Sequence, residues 1–149
     1  MFDPGINALS IVTEILPDTI HLTSATLEFP ENRDTPIAAA LAFAHPHGAA
    51  MSAIFDWRQE GDQTWTIEVE TDAGTLRLAD GGARLSINGE TAAETDADGN
   101  PLQGEYPRLY AKMARLVRAG GIDMDLAPMT LVADAFLLGR RITVEPFEE

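Results

Sequence analysis

Asp3 and Asn7 stand four residues apart in Phe2-Asp3-Pro4-Gly5-Ile6-Asn7, at the head of a segment whose apolar residues recur at helical spacing to about Leu16. Residues four apart share one face of a helix, so a carboxylate and a carboxamide come one turn above each other near its N-terminus. Together they can act on a hydroxyl, the carboxylate accepting its proton and the carboxamide holding it by hydrogen bonds. Pro4 suits the first helical position, because its missing N–H is one of those a helix start leaves unpaired. With Pro4 there, Asp3 also fits an N-cap whose carboxylate satisfies free backbone N–H groups. Both readings stand on this motif alone.

Other residues offer chemistry less directly. Trp57 and Trp65 could each present a flat apolar wall to the C–H face of a sugar, with core or interface packing as the competing role. Trp65 is the better candidate, because its segment alternates most cleanly. His45 and His47 flank Pro46 in a turn, and a metal would want further ligands nearby, so no metal site is expected. Asp96, Asp98 and Asn100 echo the opening of a calcium loop, but Pro101 stands where that loop needs glycine and Pro107 where it needs glutamate. Asp134 lies in an otherwise apolar helix and is expected to pair with Arg140, Arg141 or a backbone group.

Helices and strands must position these groups. After the first helix and the Pro17-Asp18 break, Ile20 to Phe29 reads as a strand, followed by Ile37 to Ala44, Ala49 to Arg58, Thr64 to Thr71, Thr75 to Leu78 and Arg84 to Ile87. Asp72-Ala73-Gly74 and Asn88-Gly89 are tight turn signals. Glu105 to Ala119 then forms a helix with Tyr106, Leu109, Tyr110, Met113, Leu116 and Val117 on one stripe, stopped by Gly120-Gly121. Pro128 to Gly139 is apolar on almost every side and should be buried, and Ile142 to Phe147 can return as a short strand. Helix, meander, helix, helix gives an α+β fold: one open, mostly antiparallel sheet of about six strands with helices on one face. No linker divides residues 1–149, which read as a single domain. The other sheet face, with Trp57 and Trp65, is left for a subunit or domain interface.

Composition narrows the classes of partner. The chain is 45% apolar and 23% charged, as soluble globular proteins are, and no apolar run approaches a membrane span or a signal peptide. Ten basic residues, scattered along the chain, meet 24 acidic ones for a formal charge of −14, which repels phosphate backbones and argues against nucleic acid. Cysteine is absent, in keeping with a cytoplasmic setting.

Three stretches carry a resemblance to a known family: Phe2-Asp3-Pro4-Gly5-Ile6-Asn7-Ala8-Leu9, Glu105-Tyr106-Pro107-Arg108-Leu109-Tyr110, and the run from Leu131 to Arg140. They resemble the C-terminal half of the Gfo/Idh/MocA oxidoreductases, in the branch that oxidises galactose- and arabinose-type aldoses at C1. The resemblance spans Asp3 to Phe147 and implies the dihydrodipicolinate reductase-like α+β domain that binds substrate and mediates assembly. The partner Rossmann domain, the Gly-rich dinucleotide fingerprint and the family's Glu-Lys-Pro segment are missing from this sequence. NAD or NADP would then be bound by the missing domain, with no cofactor-binding residue in this chain. The family's helix commonly carries histidine four residues after the aspartate; the asparagine here fits the sugar 1-dehydrogenase branch.

In that setting the resemblance implies Asp3 as the catalytic proton acceptor and Asn7 as a substrate-binding group, beside which Trp65, favoured by the alternation of its strand, is the candidate wall of the sugar site. It also implies an aldose substrate and a homo-oligomer formed through the open sheet face. The chain alone should then be inactive. The alternative is a non-catalytic sugar-binding or dimerisation module derived from such an enzyme.

Overall fold

Ala25 and Leu27 on one strand, Ala39, Leu41 and Phe43 on the next, and Leu9, Leu131 and Ala135 on two helices form the main core. The computed structural model describes residues 2–94 and 105–148. In chain order the elements are α1 (Phe2–Ile15), β1 (His21–Pro30), β2 (Ala38–Ala44), β3 (Ala50–Asp56), β4 (Thr66–Thr71), β5 (Gly74–Ala79), a 3₁₀ turn (Asp80–Gly82), β6 (Arg84–Ile87), β7 (Glu90–Glu94), α2 (Glu105–Ala119), α3 (Ala127–Leu138) and β8 (Arg140–Val144). They fall into two units, Met1–Asp62 with Asp125–Glu149, and Gln63–Met124.

The first unit is a four-stranded sheet in the order β3-β2-β1-β8, with β8 parallel to β1 and the other pairs antiparallel. Strand side chains alternate between faces, and the helices cover only one of them. Val12, Leu16, Met51, Phe55, Val132 and Phe136 pack around the buried set on that side. The opposite face presents Thr26 and Glu28 of β1, the alanines of β2 at 38, 40, 42 and 44, and Ser52, Ile54 and Asp56 of β3. Ile54 is 79% exposed there.

The second unit is an antiparallel meander in the order β4-β5-β6-β7, followed by α2. Ile67, Leu78 and Leu85 align across three strands, as do Val69, Leu76 and Ile87. Asn88 and Gly89 both take positive φ, 53° and 84°, the pattern of a type I′ hairpin turn. Thr75 N–H donates to Asn88 Oδ1 at 2.9 Å, and Asn88 N–H donates to Thr75 O at 2.8 Å. At the end of α2, Gly120 N–H donates to Val117 O and Gly121 N–H to Leu116 O, with Gly120 at φ 62°, a Schellman stop. None of the buried core residues among those described belongs to this unit.

The α+β class, the antiparallel pairing and the helices on one face agree with the sequence reading. The single sheet of about six strands does not: the strands form two sheets of four. β3 ends at Asp56, and residues 57–65 carry the chain out of strand conformation before β4, with Gly61 at φ 81°. β7 was not expected, because Glu90-Thr91-Ala92-Ala93-Glu94 has no apolar alternation and is exposed throughout; the Asn88-Gly89 turn folds it onto β6.

Three further expectations need correction. Pro128, Leu131 and Ala135 of α3 are buried, but Met129, Leu137 and Leu138 are exposed, so only one side of that helix is covered. Asp134 is half-exposed rather than buried, and Arg141 instead sits over the Phe29 ring, 4.8 Å from its centroid. Trp57 and Trp65 do not share an open sheet face. Trp57 follows β3, donating its N–H to Ile37 O at 3.0 Å, and Trp65 precedes β4 in the other sheet.

Candidate active site

α1 begins at Phe2, so Asp3 lies inside the first turn rather than ahead of it. Pro4 breaks no hydrogen bond there, because the first four N–H groups of a helix lack intrahelical partners. A carboxylate in this turn also favours the positive end of the helix dipole. The side chain of Asp3 is outside the described residues, and the sequence positions 96, 98, 100 and 101 of the calcium-like motif are outside them altogether. One turn further, Asn7 is exposed, while Gly5 and Leu9 on the other side of the helix are buried. The Asn7 carbonyl accepts a hydrogen bond from Ser10 Oγ at 2.7 Å. α1 therefore keeps Asn7 on its outward face and anchors through its inward one.

Gly5 brings that turn close to the sheet. A Cβ at Gly5 would stand 3.8 Å from the Phe55 ring, an ordinary contact. A gap of about 30 Å³ remains beneath, bordered by Gly5, Ile6, Leu9, Phe55, Val132 and Phe136 among other apolar groups. It has room for about one water and no polar group to hold it, so it is a packing gap and not a sugar site. A larger open cleft of about 300 Å³ lies beside β8, bordered by Phe29, Pro30, Arg33, Asp34, Arg141 and Thr143. Trp65 is half-buried and belongs to the second unit.

The histidines acquire a partner that sequence spacing does not reveal. Asp18 Oδ2 lies 3.3 Å from His47 Nε2 and 3.9 Å from His45 Nε2. His45 Nδ1, however, accepts the His47 backbone N–H at 3.2 Å, which leaves the proton of the neutral ring on Nε2. The group joins two turns and is not poised to ligate. No set of three or more His, Asp or Glu side chains is arranged for a metal among the described residues.

A second network was also missed. Arg58 donates from Nε to Asp56 Oδ1 at 2.9 Å and from Nη2 to Asp56 Oδ2 at 2.8 Å, and the same Nη2 reaches Glu28 Oε2 at 2.7 Å. Its hydrogen bonds hold the Asp56 carboxyl below the usual carboxylate range, and the two carboxylates raise the Arg58 pKa further. The i, i+2 spacing of Asp56 and Arg58 at a strand end is the signal that could have found the pair.

Gly81 and Gly82, with φ 66° and 92°, shape the 3₁₀ turn between β5 and β6, and Gly120-Gly121 is the stop of α2; neither pair opens a helix after a strand.

Over 99% of its length the chain is 42% identical to a galactose 1-dehydrogenase of Pseudomonas fluorescens, spanning 46% of that protein. The crystal structure of a D-galactose-1-dehydrogenase protein from Rhizobium etli matches with a TM-score of 0.88 and 52% identity, over 99% of this chain and 45% of that one. This chain is homologous to the C-terminal half of galactose 1-dehydrogenases. It spans about half the length of these galactose 1-dehydrogenase relatives. A further likeness, to the 3-ketoreductase KijD10 of Actinomadura kijaniata crystallised with NADP, has a TM-score of 0.71 over 94% of this chain and 47% of that one. At 14% identity it speaks to the fold alone, the Gfo/Idh/MocA-type fold expected from the sequence. No protein-family model matches the chain. No helix among the described residues is long and apolar enough to cross a membrane.

Proposed function

We propose that this chain is the substrate-binding and assembly domain of an NAD(P)-dependent aldose 1-dehydrogenase, which oxidises a galactose- or arabinose-type sugar at C1 to the lactone. The observation that carries this is similarity to galactose 1-dehydrogenases along the whole chain, with Asp3 and Asn7 on the first two turns of α1. Oxidation at C1 removes a hydride from carbon and a proton from O1. The hydride acceptor is assigned to the half that this chain does not span, so this chain's share is the proton and the placement of the sugar. Asp3 takes the O1 proton. Asn7, exposed and with both donor and acceptor capacity, holds a neighbouring hydroxyl.

Assembly falls to the uncovered face of the first sheet. Alanine, serine and threonine side chains leave it flat around Ile54, which suits the close approach of a second copy.

The decisive comparison sets the chain alone beside a fusion, in which it follows the N-terminal half of the Rhizobium etli enzyme. The fusion should reduce NAD(P) when given galactose or arabinose, and the chain alone should not. Turnover by the chain alone would overturn the proposal. A fusion that binds sugar without turnover would make this a non-catalytic sugar-binding module.

A further inference from the structure

α2 is an amphipathic helix whose apolar side is largely exposed among the described residues, Leu116 alone of its stripe being half-buried. Tyr106, Leu109, Tyr110, Met113 and Val117 recur at helical spacing and form one stripe. All five are exposed, from 42% at Tyr106 to 72% at Val117. The Tyr106 and Tyr110 rings lie 6.1 Å apart along it. Arg108, Lys112, Arg115 and Arg118 occupy the opposite side against a single carboxylate, Glu105, so α2 is a positive helix in a chain of charge −14. Lys112 pairs with Asp123.

We propose that this stripe is the docking surface for the half of the full-length dehydrogenase that this chain does not span; the proposal rests on the functional reading above. More than half the length of both galactose 1-dehydrogenase relatives lies outside the match, a body of protein large enough to cover a helix. The second unit needs such cover, since none of the described core residues belongs to it and a small sheet with one amphipathic helix is not stable without a buried face. Pairing of α2 with α2 of a second copy is the competing occupant, and it would make the cover depend on protein concentration. Use of the stripe head to tail would give a ring where the rotation closes and an open filament where it does not. An apolar surface on the missing half of the same polypeptide would cover the stripe at any protein concentration.

The absence of cysteine makes the test direct. Met113→Cys places a thiol in the stripe, and Ala111→Cys places one on the far side of the same helix. Labelling by a maleimide, with the modified residue identified by mass spectrometry, is compared in the 149-residue chain and in the fusion with the Rhizobium etli N-terminal half. At position 113 the fusion should react slower by about tenfold or more, and at position 111 the two proteins should agree within about twofold. Hydrogen exchange of the α2 amides in the unsubstituted fusion should slow in parallel.

Equal labelling at 113 in both proteins would overturn the proposal. So would protection that grows with the concentration of the 149-residue chain, which would assign the stripe to a second copy. NAD(P) reduction by the same fusion separates the two readings. Turnover with an unprotected stripe defeats the docking surface alone, and a protected stripe without turnover defeats the enzymatic reading alone.

Discussion

Arg58 places Nη2 2.7 Å from Glu28 Oε2, reaching across β2 on the uncovered face of the first sheet. Glu28, Ala38 and Asp56 are aligned across three strands, so the guanidinium spans the small Ala38 side chain to meet both carboxylates. A larger residue at 38 would stand in its way.

That bridge should give the stability a specific acid dependence. Arg58 lowers the Asp56 pKa below its ordinary value of 3.8, so the stabilisation is complete well above that value and is lost as pH falls through the lowered one. The stabilisation that comes with the raised pKa of Arg58 is present throughout this range and is lost only at strongly alkaline pH. Arg58→Met should cost about 0.5–1 kcal/mol at neutral pH, the pair being partly exposed. Urea unfolding of both proteins over a pH series should show the difference vanishing at the acid end. A constant difference would mean that packing, not charge, holds Arg58.

Two glycines should respond in opposite directions. A Cβ at Gly139 would lie 2.2 Å from Ala135 O and 3.0 Å from Ala25 Cβ, where α3 turns into β8. Gly139→Ala should destabilise by about 1–3 kcal/mol, the usual cost of overpacking. Gly5→Ala meets only the Phe55 ring, at 3.8 Å, and should stabilise by about 0.5 kcal/mol through helix propensity. Melting temperatures check both signs.

Self-association should depend on Ile54. Ile54→Glu puts a charge at the exposed centre of the alanine-rich face and should leave a monomer wherever the unsubstituted chain associates. The net charge of −14 opposes contact between copies, so association should strengthen with salt. Sedimentation across a salt series would show both effects. A dimer unchanged by Ile54→Glu would place the contact elsewhere.

The elements were legible in the sequence because each had a period and a stop. The alternation of Thr66 to Thr71 and the Gly120-Gly121 end of α2 are found as expected. The split into two sheets was not legible, because strand pairing is decided by backbone hydrogen bonds that turn signals do not encode. β7 escaped for want of an apolar face. Residue type showed that α3 is apolar all round but not that Leu137 and Leu138 would lie exposed in this chain. In the candidate site, Asp3 and Asn7 share a helix as their spacing requires. The Asp18 contacts to His45 and His47 depend on two turns meeting in space, which local spacing cannot show.

The central claim is that Asp3 accepts the sugar proton. Its most direct test is the turnover of the fusion carrying Asp3→Asn, with the melting temperature measured alongside. Asparagine keeps the shape of aspartate in this turn, gives up the charge that favours the helix N-terminus, worth about 0.3–1 kcal/mol, and takes up no proton at neutral pH. Turnover should fall by roughly 10²–10⁴, the usual loss for a positioned acid–base group, with the melting temperature lowered by a few degrees at most. Undiminished turnover in a folded protein would contradict the account and leave Asp3 a structural residue of the first helical turn.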